Sequence, residues 1–190
     1  MPIPNTEALD FLLNRRSRPA KTLKLPVPDR ETLMTILTAA VRVPDHGKLE
    51  PWRLIVLERA ALQGLAELAD ERASALGLDD EKAAKGRKQF DDGQLAVAVI
   101  EVQRGSEKIP ALEQTYSAGA VCLGLVNAAL AAGWGANWLS GWPSHDREFM
   151  QRGLGLQDHE RIAGLIYLGT ESSAPPERPR PDLDKVVTWA

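Results

Sequence analysis

The sequence predicts an α+β or α/β domain in which helices surround a small mixed sheet, and three segments carry that reading. Leu95 to Val102 is a continuous apolar run of strand length, the pattern of a central strand covered on both faces. Leu112 to Ala132 is apolar nearly all round over a helical length, which places it at the centre of the fold or in a subunit interface. Leu33, Ile36, Leu37, Ala40 and Val41 recur at helical spacing, so that helix shows one face to the core.

The other elements follow in chain order. Asn5 or Thr6 caps a first helix through Ala8 to Leu13, and Pro19 stops it. Lys21 to Pro28 is extended and punctuated by proline; Asp29 then caps the helix just described, and Pro44 ends it. Trp52 to Glu58 reads as a strand entered through Pro51. A polar, helix-prone stretch from Arg59 to about Phe90 breaks near Gly77-Leu78-Asp79, where Asp79 can cap a second segment. Gly133-Trp134-Gly135 ends the long helix, and Ala136 to Leu139 begins a third strand. Ser144 or Asp146 caps a short helix towards Gly153, and Arg161 to Gly169 is a fourth strand. Ala174 to Pro181 is a proline-rich arm leading to a β-prone tail, Val186 to Trp189. That tail must be buried, either on its own sheet or against an edge of another subunit.

Neither a repeat nor a break in composition divides the chain, so residues 1–190 are expected to form one domain. A net charge of -3, from 23 basic and 26 acidic residues, provides no basic field for nucleic acid and no polybasic membrane patch. The single cysteine, Cys122, excludes an intrachain disulfide and fits a reducing compartment. The N-terminal stretch from Met1 to Ser17 lacks the pattern of a signal peptide, and no apolar run reaches the roughly 20 residues that span a bilayer. The expected location is the cytoplasm.

Several motifs fail on their context. Gly133-x-Gly135 follows a helix and precedes a strand, the reverse of a dinucleotide fingerprint, and Trp138 stands where a third glycine belongs. Ser140-Gly141 lacks the glycine two residues before the serine that a nucleophile elbow requires. His46, His145 and His159 are far apart and share no zinc-like spacing with Cys122, so no metal is expected.

Three polar clusters remain. Arg15, Arg16, Ser17 and Arg18 follow a helix end, where they either complement its dipole or form an anion cradle of guanidinium forks and a hydroxyl. Arg42-Val43-Pro44-Asp45-His46, with Pro51-Trp52 beyond, is either a rigid turn or the rim of a pocket for a planar heterocycle. Gly135-Ala136-Asn137-Trp138-Leu139-Ser140-Gly141-Trp142 lies at a strand end, where the tryptophans are core or the backbone N–H groups meet a cofactor edge.

In this order, together with Glu113-Gln114, Ser117-Ala118-Gly119 and Tyr167-Leu168-Gly169-Thr170, the clusters resemble the nitroreductase family, in particular its compact bacterial YdjA-like branch. The resemblance covers nearly the whole chain. It implies the nitroreductase-like α+β fold, with a mainly antiparallel central sheet and a C-terminal arm exchanged between subunits. It also implies a homodimer with two FMN sites, each built from both chains. Arg15, Arg16 and Ser17 of one chain would hold the phosphate and ribityl end, with Arg180, or next Arg178, brought by the arm. Trp138, Leu139, Ser140 and Gly141 would line the flavin from the same chain, with a backbone N–H near Ser140-Gly141 as the donor to N5. Arg42 and His46 would come from the other chain. The activity implied is ping-pong oxidation of NADH or NADPH with reduction of a nitroaromatic, quinone or similar electron-poor acceptor, without a catalytic side chain.

The chain departs from that branch at Leu139, where a basic residue is common, and at Arg18-Pro19-Ala20, which is more constrained than usual. Two other readings follow the same motifs: a flavin-binding protein with little turnover, and a related enzyme that breaks down flavin or dehalogenates. The segment from 59 to 90 is expected to cover the mouth of the site.

Overall fold

The computed structural model describes residues 3–190; Met1 and Pro2, the start of the N-terminal stretch read above, lie outside the described residues. Five strands make the sheet: β1 (Leu23–Lys24), β2 (Trp52–Glu58), β3 (Leu95–Val102), β4 (Gly135–Leu139) and β5 (Glu160–Glu171). β5 is the hub, pairing with β1, β3 and β4, while β2 pairs with the far side of β3. Each of these pairings is antiparallel, which decides for α+β over α/β and leaves no parallel component among the described residues.

The continuous apolar run of β3 is buried along its whole length, and the sheet's pleat divides it between two cores. Ala96, Ala98 and Ile100 face α3 (Arg59–Ala75), α4 (Asp80–Asp91) and α6 (Arg147–Leu154), where Leu62, Phe90 and Phe149 pack. The Phe90 and Phe149 rings stack with centroids 5.4 Å apart, joining α4 to α6. Leu95, Val97 and Val99 face α2 (Arg30–Ala40) and α5 (Ala111–Ala131), against Ile36, Val121 and Leu125.

The helix starts expected from Asp29, Asp79 and Asp146 are as predicted: each carboxylate accepts a first-turn N–H, from Thr32, Lys82 and Phe149 respectively. Asn5, rather than Thr6, caps α1 (Thr6–Asn14). α2 ends at Ala40, ahead of Pro44, where the Val41 N–H closes the last turn on Leu37 and the Arg42 N–H turns back to Ala39. Asp146 also pairs with Arg72 at 2.8 Å, fastening α6 to α3. None of the described helices is long and apolar enough to cross a membrane.

Two features differ from the sequence reading. The proline-punctuated segment contains the two-residue strand β1, held on β5 by the pairing of Leu23 with Glu171. Such a strand is too short to show any alternation. The tail forms no strand on its own sheet; a helical turn that Asp182 caps, α7 (Leu183–Val186), precedes it and takes in only Val186, and Val187 and Trp189 stay exposed. α5 shows both of the expected environments. Val121, Cys122 and Leu125 are in the core, whereas Leu112, Tyr116 and Leu123 face outward. α1 buries no residue at all and exposes Leu9, Leu12 and Leu13.

Two predictions follow from the packing. A Cβ on Gly124 would lie 2.6 Å from the Ala40 carbonyl oxygen, so this glycine allows α5 and α2 to approach. Gly124→Ala is expected to cost about 1–3 kcal/mol in urea unfolding, despite the better helix propensity of alanine. Glu160 accepts both guanidinium N–H groups of Arg53, at 2.7 and 2.9 Å, which hold its carboxyl down to about 2 from the usual 4.5. Its depressed pKa stabilises the fold above pH 4.5, and that contribution fades as pH falls towards 2. Arg53→Met should therefore move the acid-unfolding midpoint to higher pH; an unchanged midpoint would remove the pair from the acid response.

Candidate functional site

After α1 the chain extends, and its backbone is fastened to the outer edge of β4. The Arg18 N–H donates to the Ala136 carbonyl at 2.8 Å, and the Asn137 side-chain amide donates to the Arg18 carbonyl at 2.9 Å. The Arg18 guanidinium is occupied by Glu171 and the Arg16 carbonyl. Arg15 donates to Ser17 Oγ at 3.0 Å. The Nε atoms of Arg15 and Arg16 are buried and have no partner, an arrangement that a solvated helix end would not produce.

The proline-rich arm lies beside this segment. Arg16 donates to the Pro176 carbonyl at 3.1 Å, and Arg180 donates to the Leu13 carbonyl at 3.3 Å. Between them is a basic pocket of about 510 Å³, whose charged lining is Arg15, Arg16, Arg178 and Arg180, with Ser17 beside them. Burial, and then the like charges of Arg180, Arg16 and Arg18, push the Arg15 pKa below its ordinary value. An anion in the pocket would relieve that repulsion.

Arg16, Ser17 and Arg178 also line a second cavity of about 690 Å³, which extends along the end of β4 past Trp138, Leu139, Ser140 and Gly141. Its size is that of a small-molecule site. Because Ala136 turns its carbonyl outward to Arg18, the alternation of the strand turns the N–H and C=O of Trp138 outward as well. The Trp138 indole packs against Gly164, where a Cβ would come within 2.2 Å of Nε1. Leu139 packs against the core on the opposite face. Ser140 Oγ is 3.3 Å from His145 Nε2.

α4 forms the other wall. The Trp142 indole N–H donates to the Lys82 carbonyl at 3.0 Å, and its ring fits against Gly86, where a Cβ would be 2.2 Å from Nε1. Lys85 and Gln89 line the cavity from this helix, and Gln89 Nε2 is buried without a partner. The sequence reading included Trp142 in its third cluster and placed α4 near the site, but named none of the α4 residues. The available signal was Gly86, a helix-interior glycine of the kind that marks a close approach.

Arg42 and His46 do not line either of these spaces. Their loop is pinned to α5 instead: His46 Nδ1 is 2.6 Å from Glu113 Oε2, and the Trp52 indole donates to Ser117 Oγ at 3.2 Å. Ser117 in turn donates to the Pro44 carbonyl at 2.9 Å. Asp45 accepts the N–H groups of Leu49 and Glu50, and both Lys48 and Glu50 have left-handed φ, +54° and +46°. The loop is thus a rigid turn that presents Arg42 and His46 away from the cavity of its own chain.

The sheet, the two helical layers and a cavity of small-molecule size at a strand end define an α+β fold with one candidate ligand site. The crystal structure of a nitroreductase-like family protein from Bacillus cereus superposes with a TM-score of 0.80 at 20% identity, covering 100% of this chain and 99% of that one. A BluB-like flavoprotein from Clostridium difficile 630 superposes with a TM-score of 0.74 at 16% identity, covering 98% and 100%. By sequence, 164 residues are 34% identical to the Escherichia coli (strain K12) protein named "Putative NAD(P)H nitroreductase YdjA", over 86% of this chain and 88% of that one. The model of the Nitroreductase family matches residues 12–170. The chain belongs to the nitroreductase family and is an oxidoreductase.

The contact between Trp142 and Gly86 provides a direct test of the wall. Gly86→Ala is expected to displace the indole or the helix, seen as a red-shifted tryptophan emission, with a stability loss of about 1–3 kcal/mol. Unchanged emission and stability would show that α4 is not seated on Trp142.

Proposed function

We propose that the chain is an FMN-dependent NAD(P)H oxidoreductase whose residues 1–190 form one flavin-binding domain. One observation carries this reading: half-buried arginines with unpartnered Nε atoms converge beside a cavity of about 690 Å³ that has backbone edge groups and an orphan amide in its walls. The donor set suits a phosphate at one end and a planar ring with amide-like edges at the other.

In this reading Arg15, Arg16 and Ser17 hold the FMN phosphate and ribityl end, and the arm closes over it with Arg178 and Arg180. The Trp138–Gly141 segment lies along the flavin edge, with a backbone N–H at Ser140-Gly141 meeting N5. Gln89 donates to the pyrimidine edge, where a donor stabilises the charge that reduction places there. Bound FMN would supply the redox chemistry, taking electrons from NADH or NADPH and giving them in a ping-pong cycle to a nitroaromatic, quinone or similar acceptor. The chain's own residues bind, orient and exclude water.

A homodimer completes the site. The exposed Leu9, Leu12 and Leu13 of α1 and Leu112, Tyr116 and Leu123 of α5 form apolar surface of the kind that subunits bury. Arg42 and His46, directed away from their own cavity, would serve the partner's site, and the arm with exposed Val187 and Trp189 would cross between subunits. The cytoplasm is the compartment that fits NAD(P)H chemistry and a single buried thiol.

A flavoprotein with little turnover is the second reading, favoured by Leu139, which packs into the core and offers no donor to the ring. Steady-state NADPH oxidation with a nitroaromatic or quinone separates the two.

The purified protein should be yellow and should bleach anaerobically on adding NADH or NADPH; a colourless protein that takes up no FMN would sink the proposal. Arg15→Ala should weaken FMN retention by about 1.5–3 kcal/mol, the scale of a charge-assisted hydrogen bond. A mixed dimer of Arg15→Ala and His46→Ala subunits should keep one intact site. Two equally damaged sites would refute sharing across the interface.

A further inference from the structure

We propose that Lys21 and Lys85 form an anion-selecting rim, so that the second substrate entering beside the flavin carries a phosphate or carboxylate group. This rests on the flavin reading above and deepens it. The cations lining the larger cavity are Arg16, Lys21, Lys85, Lys88 and Arg178, against Asp92 as its one carboxylate. Lys88 is paired with Asp92 at 3.0 Å, so these two cancel. Arg16 and Arg178 also belong to the basic pocket at the arm, where a phosphate would occupy them. Lys21 and Lys85 do not line that pocket, and no carboxylate pairs with either among the described residues.

The pattern on α4 sharpens the point. Its other basic side chains are all neutralised: Lys82 by Asp79, Arg87 by Asp70 and Asp91, and Lys88 by Asp92. Lys85 alone is left without a partner, and it lines the cavity. Lys21 comes from a different element, the turn before β1, and lines the same space. Two unpaired ammonium groups at one cavity, in a chain of net charge -3, make a local positive field that favours entry of an anion. Both lysines are exposed, so water and salt screen them. The expected discrimination is about tenfold rather than several orders of magnitude.

Two sources provide such an anion: the 2′-phosphate that distinguishes NADPH from NADH, or a carboxylate on the electron acceptor. The test uses oxidised, FMN-loaded protein and reads binding from the change in flavin absorbance, without turnover. NADP⁺ is titrated against NAD⁺ for the first source, and benzoate against benzamide for the second. Wild type should bind the more anionic member of one pair about tenfold more tightly, and the pair that discriminates identifies the source. That preference should shrink at high ionic strength and vanish in the Lys21→Glu, Lys85→Glu double variant, with flavin content unchanged. Equal affinities in wild type, or a preference that survives the double variant, would overturn the rim. So would loss of flavin from the double variant, because the lysines would then be contacts of the flavin itself. A wild-type protein that takes up no FMN would be recognised before any ligand is added and would overturn the flavin reading together with the rim.

Discussion

Two hydrogen bonds hold the backbone of Arg18 against Ala136 and Asn137 on β4, and the arrangement of the site depends on them. β4 pairs with β5 on one side only, so its other edge has free N–H and C=O groups that invite a partner. The N-terminal segment takes that edge at Ala136 and leaves it free at Trp138. In doing so it carries Arg15, Arg16 and Ser17 to the end of a strand that comes more than a hundred residues later in the chain. Arg18 cannot itself receive an anion, since Glu171 and the Arg16 carbonyl occupy its guanidinium. Its role is to place its neighbours.

The distribution of arginine supports the same division of labour. Many guanidinium groups elsewhere in the fold are matched to carboxylates, among them Arg53 to Glu160, Arg72 to Asp146, Arg87 to Asp70, Arg152 to Glu71 and Arg161 to Glu101. Glu101, fully buried, also accepts from Thr115, so its desolvation is offset by several donors. At the arm four arginines gather with few acids to match; Arg180 has Glu177, while Arg15, Arg16 and Arg178 have no carboxylate partner among the described residues. A protein of net negative charge that concentrates unmatched cations in one pocket has arranged them for something outside the chain.

Much of the fold was legible because its signals are local. The run from Leu95 to Val102 had the pattern of a strand covered on both faces, and Asp29, Asp79 and Asp146 marked helix starts by the hydrogen bonds they now accept. The rest was hidden for identifiable reasons. β1 has two residues, too few for a period, and the β-prone tail pairs with no strand of its own chain: Val186 ends a helical turn and residues 187–190 form no element. The α4 wall escaped because the residues it shows the cavity, Lys85 and Gln89, are the types that usually face solvent. Arg15 and Arg16 looked like a dipole-complementing helix end until the fold placed the arm beside them and left their Nε atoms buried and unpaired.

The loop from Arg42 to Trp52 gives the strongest physical reason to look beyond one protomer. Non-glycine residues at left-handed φ cost about 1–3 kcal/mol each, and they persist only where neighbours determine the backbone several times over. Lys48 and Glu50 both adopt such φ values, and the Asp45 carboxylate and the Trp52–Ser117–Pro44 chain provide the constraint. A turn needed only to join α2 to β2 could relax. This one is held rigid against α5 and directs Arg42 and His46 away from the cavity of its own chain, close to the helix that exposes Leu112 and Tyr116. Strain maintained on the margin of an apolar surface is accounted for if a second copy covers that surface and meets Arg42 and His46 there.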